Sequence, residues 1–254
     1  VIKNSAENFA EVSLELGGKS PIIVFDDANI ESAVNGAIAG IFAASGQSCV
    51  AGSRLYLHDD IADDFLARML NIARGIVIGD PQDDATEMGP LCTLGQIEHI
   101  ERQVTLAIEE GGRLLCGGRR LARPGLFFEP TIIECPRQDM TIVDTELFGP
   151  VLAVQRFRTE SEVLALANDT KHGLAAGLFT RDGARQLRLA KALKSGMVWV
   201  NTYRMISPIA EFGGVKTSGH GREAGLQAMY DYTRAKTIWV NLSDDPIANP
   251  FQPR

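Results

Sequence analysis

Near the start of the chain Val12, Leu14 and Leu16 alternate with Ser13 and Glu15, a period of two that predicts a strand ending at Gly17-Gly18. Glu15 thus leaves that strand near its C-terminal end. Residues 21–25, PIIVF, read as a buried strand, with Asp27 and Asn29 behind them as helix-cap candidates. Ile30, Ala33, Val34, Ala37, Ile38 and Ile41 then recur at helical spacing until Ser45-Gly46 stops the helix. A loop of small residues, GQSCVAGSR at 46–54, leads into the apolar run Leu55-Tyr56-Leu57, a further strand. Residues 61–76 and 96–110 carry amphipathic helical periodicity on either side of a turn-rich loop at 79–95, and strand-like segments follow at 113–117 and 127–134. Beyond the Gly149-Pro150 break come VLAVQRF, a capped helix near Ser161-Glu162, GLAAGLFT, a helix around 184–193 and GMVWVN. Helices alternating with apolar strands predict an α/β fold around a largely parallel sheet. A Gly-rich segment at 212–221 precedes a helix near 223–230, residues 233–242 read as a final exposed strand, and the tail is irregular.

Composition narrows the partners. The 254 residues are 45% hydrophobic and 22% charged, and carry a net charge of −7 with acidic and basic residues interspersed. That balance argues against nucleic acid or an anionic membrane as a partner. No apolar run is long enough to span a bilayer, and the first residues have neither a basic nor an apolar leader region, which predicts a cytoplasmic protein. Cys49, Cys92, Cys116 and Cys135 are widely separated with no C-x-x-C, so free thiols are expected rather than a disulfide framework or a metal site. The chain opens on Val1 and reaches a strand pattern within a dozen residues, and the N-terminus is expected to be a cut one.

Cys49 ranks first among the thiols, because its small-residue loop follows a helix, admits a substrate and offers backbone N–H groups to a developing oxyanion. It is expected to be partly exposed and more reactive than the other three. The alternative is a packed, inert thiol, and spacing alone leaves both readings open. Glu15 is a carboxylate at the mouth of an apolar strand, where partial burial raises a carboxyl pKa into the range of a general base; a cleft-edge pair with Lys19 is the competing reading. Two Gly-rich segments are set aside. Gly18-Lys19-Ser20 lacks the first glycine of a P-loop, since position 13 is Ser13, and the run from Gly219 to Gly225 places its third glycine one residue late for a dinucleotide fingerprint. The four histidines form no metal motif, and no spacing couples one of them to Cys49.

LELGGKSP at 14–21, GQSCVAGSR at 46–54, ELFGPV at 146–151 and FGGVKTSGHGRE at 212–223 resemble four motifs of the aldehyde dehydrogenase superfamily, in the family's order and at its spacing. The resemblance covers nearly the whole chain, which matches the C-terminal, catalytic half of the family. It implies NAD or NADP as cofactor and an aldehyde as substrate, oxidised to a carboxylic acid through a thiohemiacetal and a thioester on Cys49. Glu15 matches the residue that activates the hydrolytic water. Glu146 matches the carboxylate that holds the nicotinamide ribose, Phe148 the ring beside the nicotinamide, and Leu16 and Gly17 the backbone passing close to it. Phe212 and Glu223 match a tunnel wall and a support to the water-activating region, Ser48 and Val50 flank the nucleophile, and Asn201 is structural.

The resemblance also implies a division into residues 1–17, the last strand of a cofactor domain, residues 18–232, a catalytic domain, and residues 233–254, an oligomerisation strand and tail that makes a homo-oligomer the expected state. Most of the cofactor-binding fold, the second oxyanion donor and the acid that separates NAD from NADP belong to sequence outside these 254 residues. This chain alone is therefore expected to bind NAD(P) poorly and to be inactive. Two other classes stay open at this stage: a cysteine hydrolase or acyltransferase, which needs a histidine beside Cys49, and a non-catalytic assembly module with an inert Cys49.

Overall fold

A computed structural model describes residues 1–252. In chain order its elements are α1 (Ile2–Ser5), β1 (Leu14–Glu15), β2 (Pro21–Val24), α2 (Ile30–Phe42), β3 (Arg54–His58), α3 (Ala62–Gly75), α4 (Leu94–Glu109), β4 (Arg113–Cys116), β5 (Thr131–Glu134), α5 (Thr141–Asp144), β6 (Val151–Phe157), α6 (Glu160–Asn168), β7 (Ala175–Phe179), α7 (Gly183–Ala192), β8 (Met197–Val200), β9 (Gly219–His220) and α8 (Gly225–Asp231). Seven strands form one sheet in the order β4-β5-β6-β3-β2-β7-β8, parallel throughout except for β4, which runs antiparallel at one edge. β1 and β9 make a separate two-stranded antiparallel ribbon.

β2 carries no polar residue, and β3 places Leu55, Tyr56 and Leu57 between Arg54 and His58, because both faces of the sheet are covered. On β2, Ile22 and Val24 enter one core with α2 and α3, through Ala33, Val34, Ile41, Phe65 and Met69. The intervening Ile23 faces the opposite side, where α6 and α7 bring Val163, Ala167 and Leu189. Tyr56 repeats this pattern between Leu55 and Leu57. α4 and α5 close the end of the sheet near β5 and β6 with Ile97, Ile100, Ile142 and Val143. The sequence expectation of a largely parallel α/β layer structure is met.

Asn29 caps α2, its side chain accepting from the Ser32 N–H at 3.1 Å, and Asp182 caps α7 in the same manner. Asp27 does something else. Its carboxylate accepts from the Thr180 hydroxyl at 2.7 Å and from the Arg181 and Asp182 N–H groups, joining the end of β2 to the turn after β7.

Three expectations need correction. The first strand shrinks to Leu14–Glu15, and Leu16 is exposed. The last helix starts at Gly225, not 223, because the Glu223 backbone is exchanging hydrogen bonds with Phe212. Residues 233–242 form no strand: they are exposed and irregular, with Ile238, Trp239, Val240 and Leu242 in solvent. An alternating segment without a partner has no ladder to satisfy its N–H and C=O groups, so period alone does not make it a strand. Among the described residues no helix is long and apolar enough to cross a membrane.

Candidate active site

Three short segments that carry the candidate chemistry feed three neighbouring strands. Gly17-Gly18 runs into β2, the Cys49 loop into β3, and Glu146 to Phe148 into β6, and the sheet order places β6, β3 and β2 side by side. Since these strands are parallel, all three segments arrive at the same, leading edge of the sheet. Ligands of open parallel sheets ordinarily sit at the opposite, C-terminal edge. Here the small residues and the open space are at the beginning of the strands.

An open cleft of about 530 Å³ lies at that edge, a size that suits a small-molecule site. Glu15, Leu16, Gly17, Cys49, Glu146 and Phe148 line it together. Two side chains of α4, Gln96 and His99, complete the wall.

The loop that presents Cys49 is tightly held. Ala44 and Ser45 adopt left-handed backbone angles, with φ of 54° and 56°. Gly46 follows at φ 70°, where a Cβ would lie 2.1 Å from the Gly149 carbonyl oxygen. The Ser45 hydroxyl donates to the Gly89 carbonyl at 2.8 Å, and the Cys92 N–H donates to the Gln47 side chain at 2.9 Å. Cys49 itself is half-buried. Burial pushes its thiol pKa up, the backbone N–H groups of Val50 and Cys49 draw it down, and the charges of Glu15 and Glu146 add to the rise. The same N–H groups that favour a thiolate also favour an oxyanion formed at that atom. No hydrogen bond joins the Cys49 sulfur to a histidine among the described residues, although His99 lines the same cleft.

Glu15 reaches the cleft from the β1–β9 ribbon, where Leu14 pairs with His220 and Glu15 with Gly219. Its pKa is raised, first by burial and then by the charge of Glu223; the Gly214 N–H and Arg222 oppose the rise. A Cβ on Gly213 would stand 2.8 Å from the Glu15 carboxylate, so the glycine makes room for the acid.

Glu146 is held from the other side. Its Oε1 accepts from the Gly18 N–H at 3.1 Å, and a Cβ on Gly17 would fall 1.7 Å from its Oε2. The absence of a side chain at Gly17 is thus what lets the Glu146 carboxylate lie flat against the backbone. Phe148, at φ 48°, turns its ring toward solvent at 41% exposure. This corner of the cleft therefore combines one carboxylate oxygen anchored by Gly18, an exposed aromatic ring and a gap without side chains.

The model described as Aldehyde dehydrogenase family matches residues 1–238. The chain belongs to the aldehyde dehydrogenase family. It is 52% identical over 252 residues to (Z)-2-((N-methylformamido)methylene)-5-hydroxybutyrolactone dehydrogenase of Acinetobacter baylyi, covering 99% of this chain and 52% of that protein. It is 44% identical over 247 residues to betaine aldehyde dehydrogenase of Cereibacter sphaeroides, covering 97% of this chain and 51% of the relative. The NAD+ complex structure of aldehyde dehydrogenase from Bacillus cereus superposes with a TM-score of 0.93 at 40% identity, over 95% of this chain and 49% of that one. The chain spans about half the length of the curated relatives it matches.

Other residues of the aldehyde dehydrogenase motifs lie away from the cleft wall. Val50 is buried in the core, its carbonyl accepting from the Tyr203 hydroxyl at 2.9 Å, and Ser48 is half-buried beside the loop without lining the cavity. Phe212 and Glu223 pair backbone to backbone, and Glu223 reaches the site only through its charge on Glu15. Asn201 ties the end of β8 to Thr180, accepting from its N–H and donating to its carbonyl, both at 3.0 Å. Cys49 has the partial exposure expected of it. Cys92 is exposed whereas Cys49 is only half so, and exposure does not single out the nucleophile. Gln96 and His99 escaped the sequence reading, although their spacing of three on an amphipathic helix put them on one face.

Proposed function

We propose that, in the full-length protein, this chain supplies the catalytic half of an NAD(P)-dependent aldehyde dehydrogenase that oxidises an aldehyde to a carboxylic acid. The observation that carries the reading is the convergence of Cys49, Glu15 and Glu146 in one cleft, Glu15 from β1 and the other two from the segments that feed β3 and β6. The Cys49 thiolate attacks the aldehyde carbonyl, and its own backbone N–H stabilises the oxyanion of the resulting thiohemiacetal. Glu146, with Gly17 and Leu16 beside it, would hold the ribose of a nicotinamide cofactor, Phe148 would lie by the ring, and the cofactor would supply the acceptor for the hydride lost as the Cys49 adduct becomes a thioester. Glu15, made more basic by burial and by the Glu223 charge, takes a proton from the water that attacks the thioester carbonyl, and collapse of the adduct releases the acid and the Cys49 thiolate, Glu15 then losing its proton to solvent.

In this reading residues 1–17 end a cofactor domain, residues 18–232 form the catalytic domain, and residues 233–242 pair with a second subunit of a homo-oligomer. Support for the pairing comes from four apolar side chains left in solvent there. Four free cysteines fit a reducing, cytoplasmic compartment. The chain alone supplies only the nicotinamide end of the cofactor site in this reading, and is inactive by itself. Calorimetric titration with NAD and NADP and an NAD(P)H absorbance assay on several aldehydes test both parts. Turnover is expected from the full-length protein and lost in its Cys49→Ser variant, whereas sustained turnover by the 254-residue chain would remove the claim that the cofactor anchor lies elsewhere.

A further inference from the structure

α4 opens on Thr93-Leu94-Gly95-Gln96, the sequence of a capping box, in which the first side chain accepts from the fourth residue's N–H and the fourth side chain returns to the first residue's N–H. Only the first half is made here. The Thr93 hydroxyl accepts from the Gln96 N–H at 3.2 Å, whereas the Gln96 side chain turns away from the helix. Its Nε2 donates to the Leu147 carbonyl and, at 3.4 Å, to the Phe148 carbonyl. No other donor reaches either oxygen among the described residues.

These two carbonyls belong to the peptide groups on either side of the Phe148 Cα, and the mutual orientation of those planar groups is what φ and ψ of Phe148 describe. One amide bound to both therefore holds the conformation of the residue. That conformation needs holding, because a φ of 48° lies in the left-handed region that a bulky side chain seldom adopts. α4 grips the same turn a second time. Ile100 is fully buried one helical turn after Gln96, on the same face, and a Cβ on Gly149 would collide with its Cδ1. The Gly149 carbonyl in turn occupies the space that a Cβ on Gly46 would need. The turn that carries Phe148 is thus wedged between α4 and the nucleophile loop.

We propose that Gln96 is a positioning residue, whose amide clamps the Leu147–Phe148 backbone so that the Phe148 ring is presented to the cleft beside Glu146. It acts as a donor. The clamp stands on this geometry alone; its consequence for the cofactor rests on the reading above, in which this corner takes the nicotinamide end.

The test compares the full-length protein with Gln96→Glu, which turns an acceptor toward two carbonyls, Gln96→Met, which keeps the length and removes the donor, and Gln96→Lys, which restores one. Amide hydrogen exchange in the peptide spanning residues 146–149 is expected to speed up about tenfold or more in Gln96→Glu and Gln96→Met and to stay near the parent rate in Gln96→Lys, with exchange elsewhere unchanged. The cofactor KM is expected to rise about tenfold in the same two variants while kcat at saturating cofactor stays within about threefold. Unchanged exchange in both Gln96→Glu and Gln96→Met would overturn the proposal. So would a cofactor KM that Gln96→Glu preserves and Gln96→Lys raises, since the amide oxygen would then touch the ligand directly. Faster exchange with an unchanged cofactor KM would uphold the clamp and remove the nicotinamide from this corner.

Discussion

The two edges of the central sheet are built on opposite principles. At the C-terminal edge, polar side chains satisfy one another: Asp27 accepts from three donors of the turn after β7, and Asn201 makes a reciprocal pair with Thr180. At the leading edge, polar groups are left short. Both oxygens of the Glu15 carboxylate are buried without a hydrogen-bond partner, and Cys49 and Glu146 have pKa values raised by burial; non-glycine residues sit at positive φ at both edges, Ala44, Ser45 and Phe148 here and Asn201 at the other. One edge holds the fold; the other stores unfavourable placements that the fold makes tolerable. Such placements concentrate at working sites because reacting groups must not be neutralised by the protein itself.

If that contrast is right, substitutions at the leading edge alter chemistry and substitutions at the far edge alter stability. The largest effect is expected for Glu15→Gln in the full-length enzyme: steady-state turnover falls about 10²–10⁴-fold while a burst of NAD(P)H persists, because acylation precedes the step that needs the base. Stopped-flow and steady-state absorbance separate the two phases. In the parent enzyme the raised pKa of Glu15 has a definite sign. Its basic form is lost as pH falls through a value above the ordinary carboxylate range, and Glu223→Gln moves that acid limb of kcat to lower pH, since the Glu223 charge contributes to the rise.

Gly17→Ala comes next. The new methyl meets the Glu146 carboxylate, which has to move by an ångström or more. A displacement of that size is expected to cost about a hundredfold in kcat/KM for the cofactor, with little change in burst chemistry once the cofactor is saturating. An unchanged cofactor KM would show that Glu146 does not grip it. At the other edge, Asp27→Ala is expected to lower stability by about 2 kcal/mol, from three backbone and hydroxyl donors left without their acceptor, and to leave kcat within about twofold. Urea denaturation followed by fluorescence reads the first quantity. A large kcat loss with stability intact would dissolve the distinction between the edges.

The smallest effect concerns the thiols. Limited alkylation at neutral pH is expected to label exposed Cys92 before Cys49, and Cys49 labelling is expected to climb as pH rises toward its raised pKa. Peptide mapping that finds Cys49 labelled first would show that its N–H groups outweigh burial.

Much of this was legible in the residues. Short apolar runs and period 3.6 located β2, α2, β3 and α3 to within a few residues, because those elements bury one face or both and the pattern is the record of burial. Cys49, Glu15, Gly17 and Glu146 were legible through motifs, and they do meet. What a linear pattern cannot contain is which segments share an edge. Gln96 and His99 enter the cleft because α4 packs across the mouth of β6, a fact of topology. Val50 sits next to the nucleophile in sequence yet belongs to the core, since successive residues of that loop point to opposite sides. Residues 233–242 have a strand's pattern and no strand, because a ladder needs a second participant that the pattern does not name.

The leading-edge placement also has a kinetic meaning. The bond from Gly18 to Glu146 spans 128 residues, and the cleft brings together four stretches that are far apart in sequence. Each of β2, β3 and β6 must find its register before the segments ahead of them can face one another, and closing such long loops is the slow part of building a parallel sheet. During refolding, helices and local turns therefore form before the cleft does. Until the strands lock, the chain is a polypeptide with an ordinary thiol, and the reactive centre is among the last features that synthesis and folding deliver.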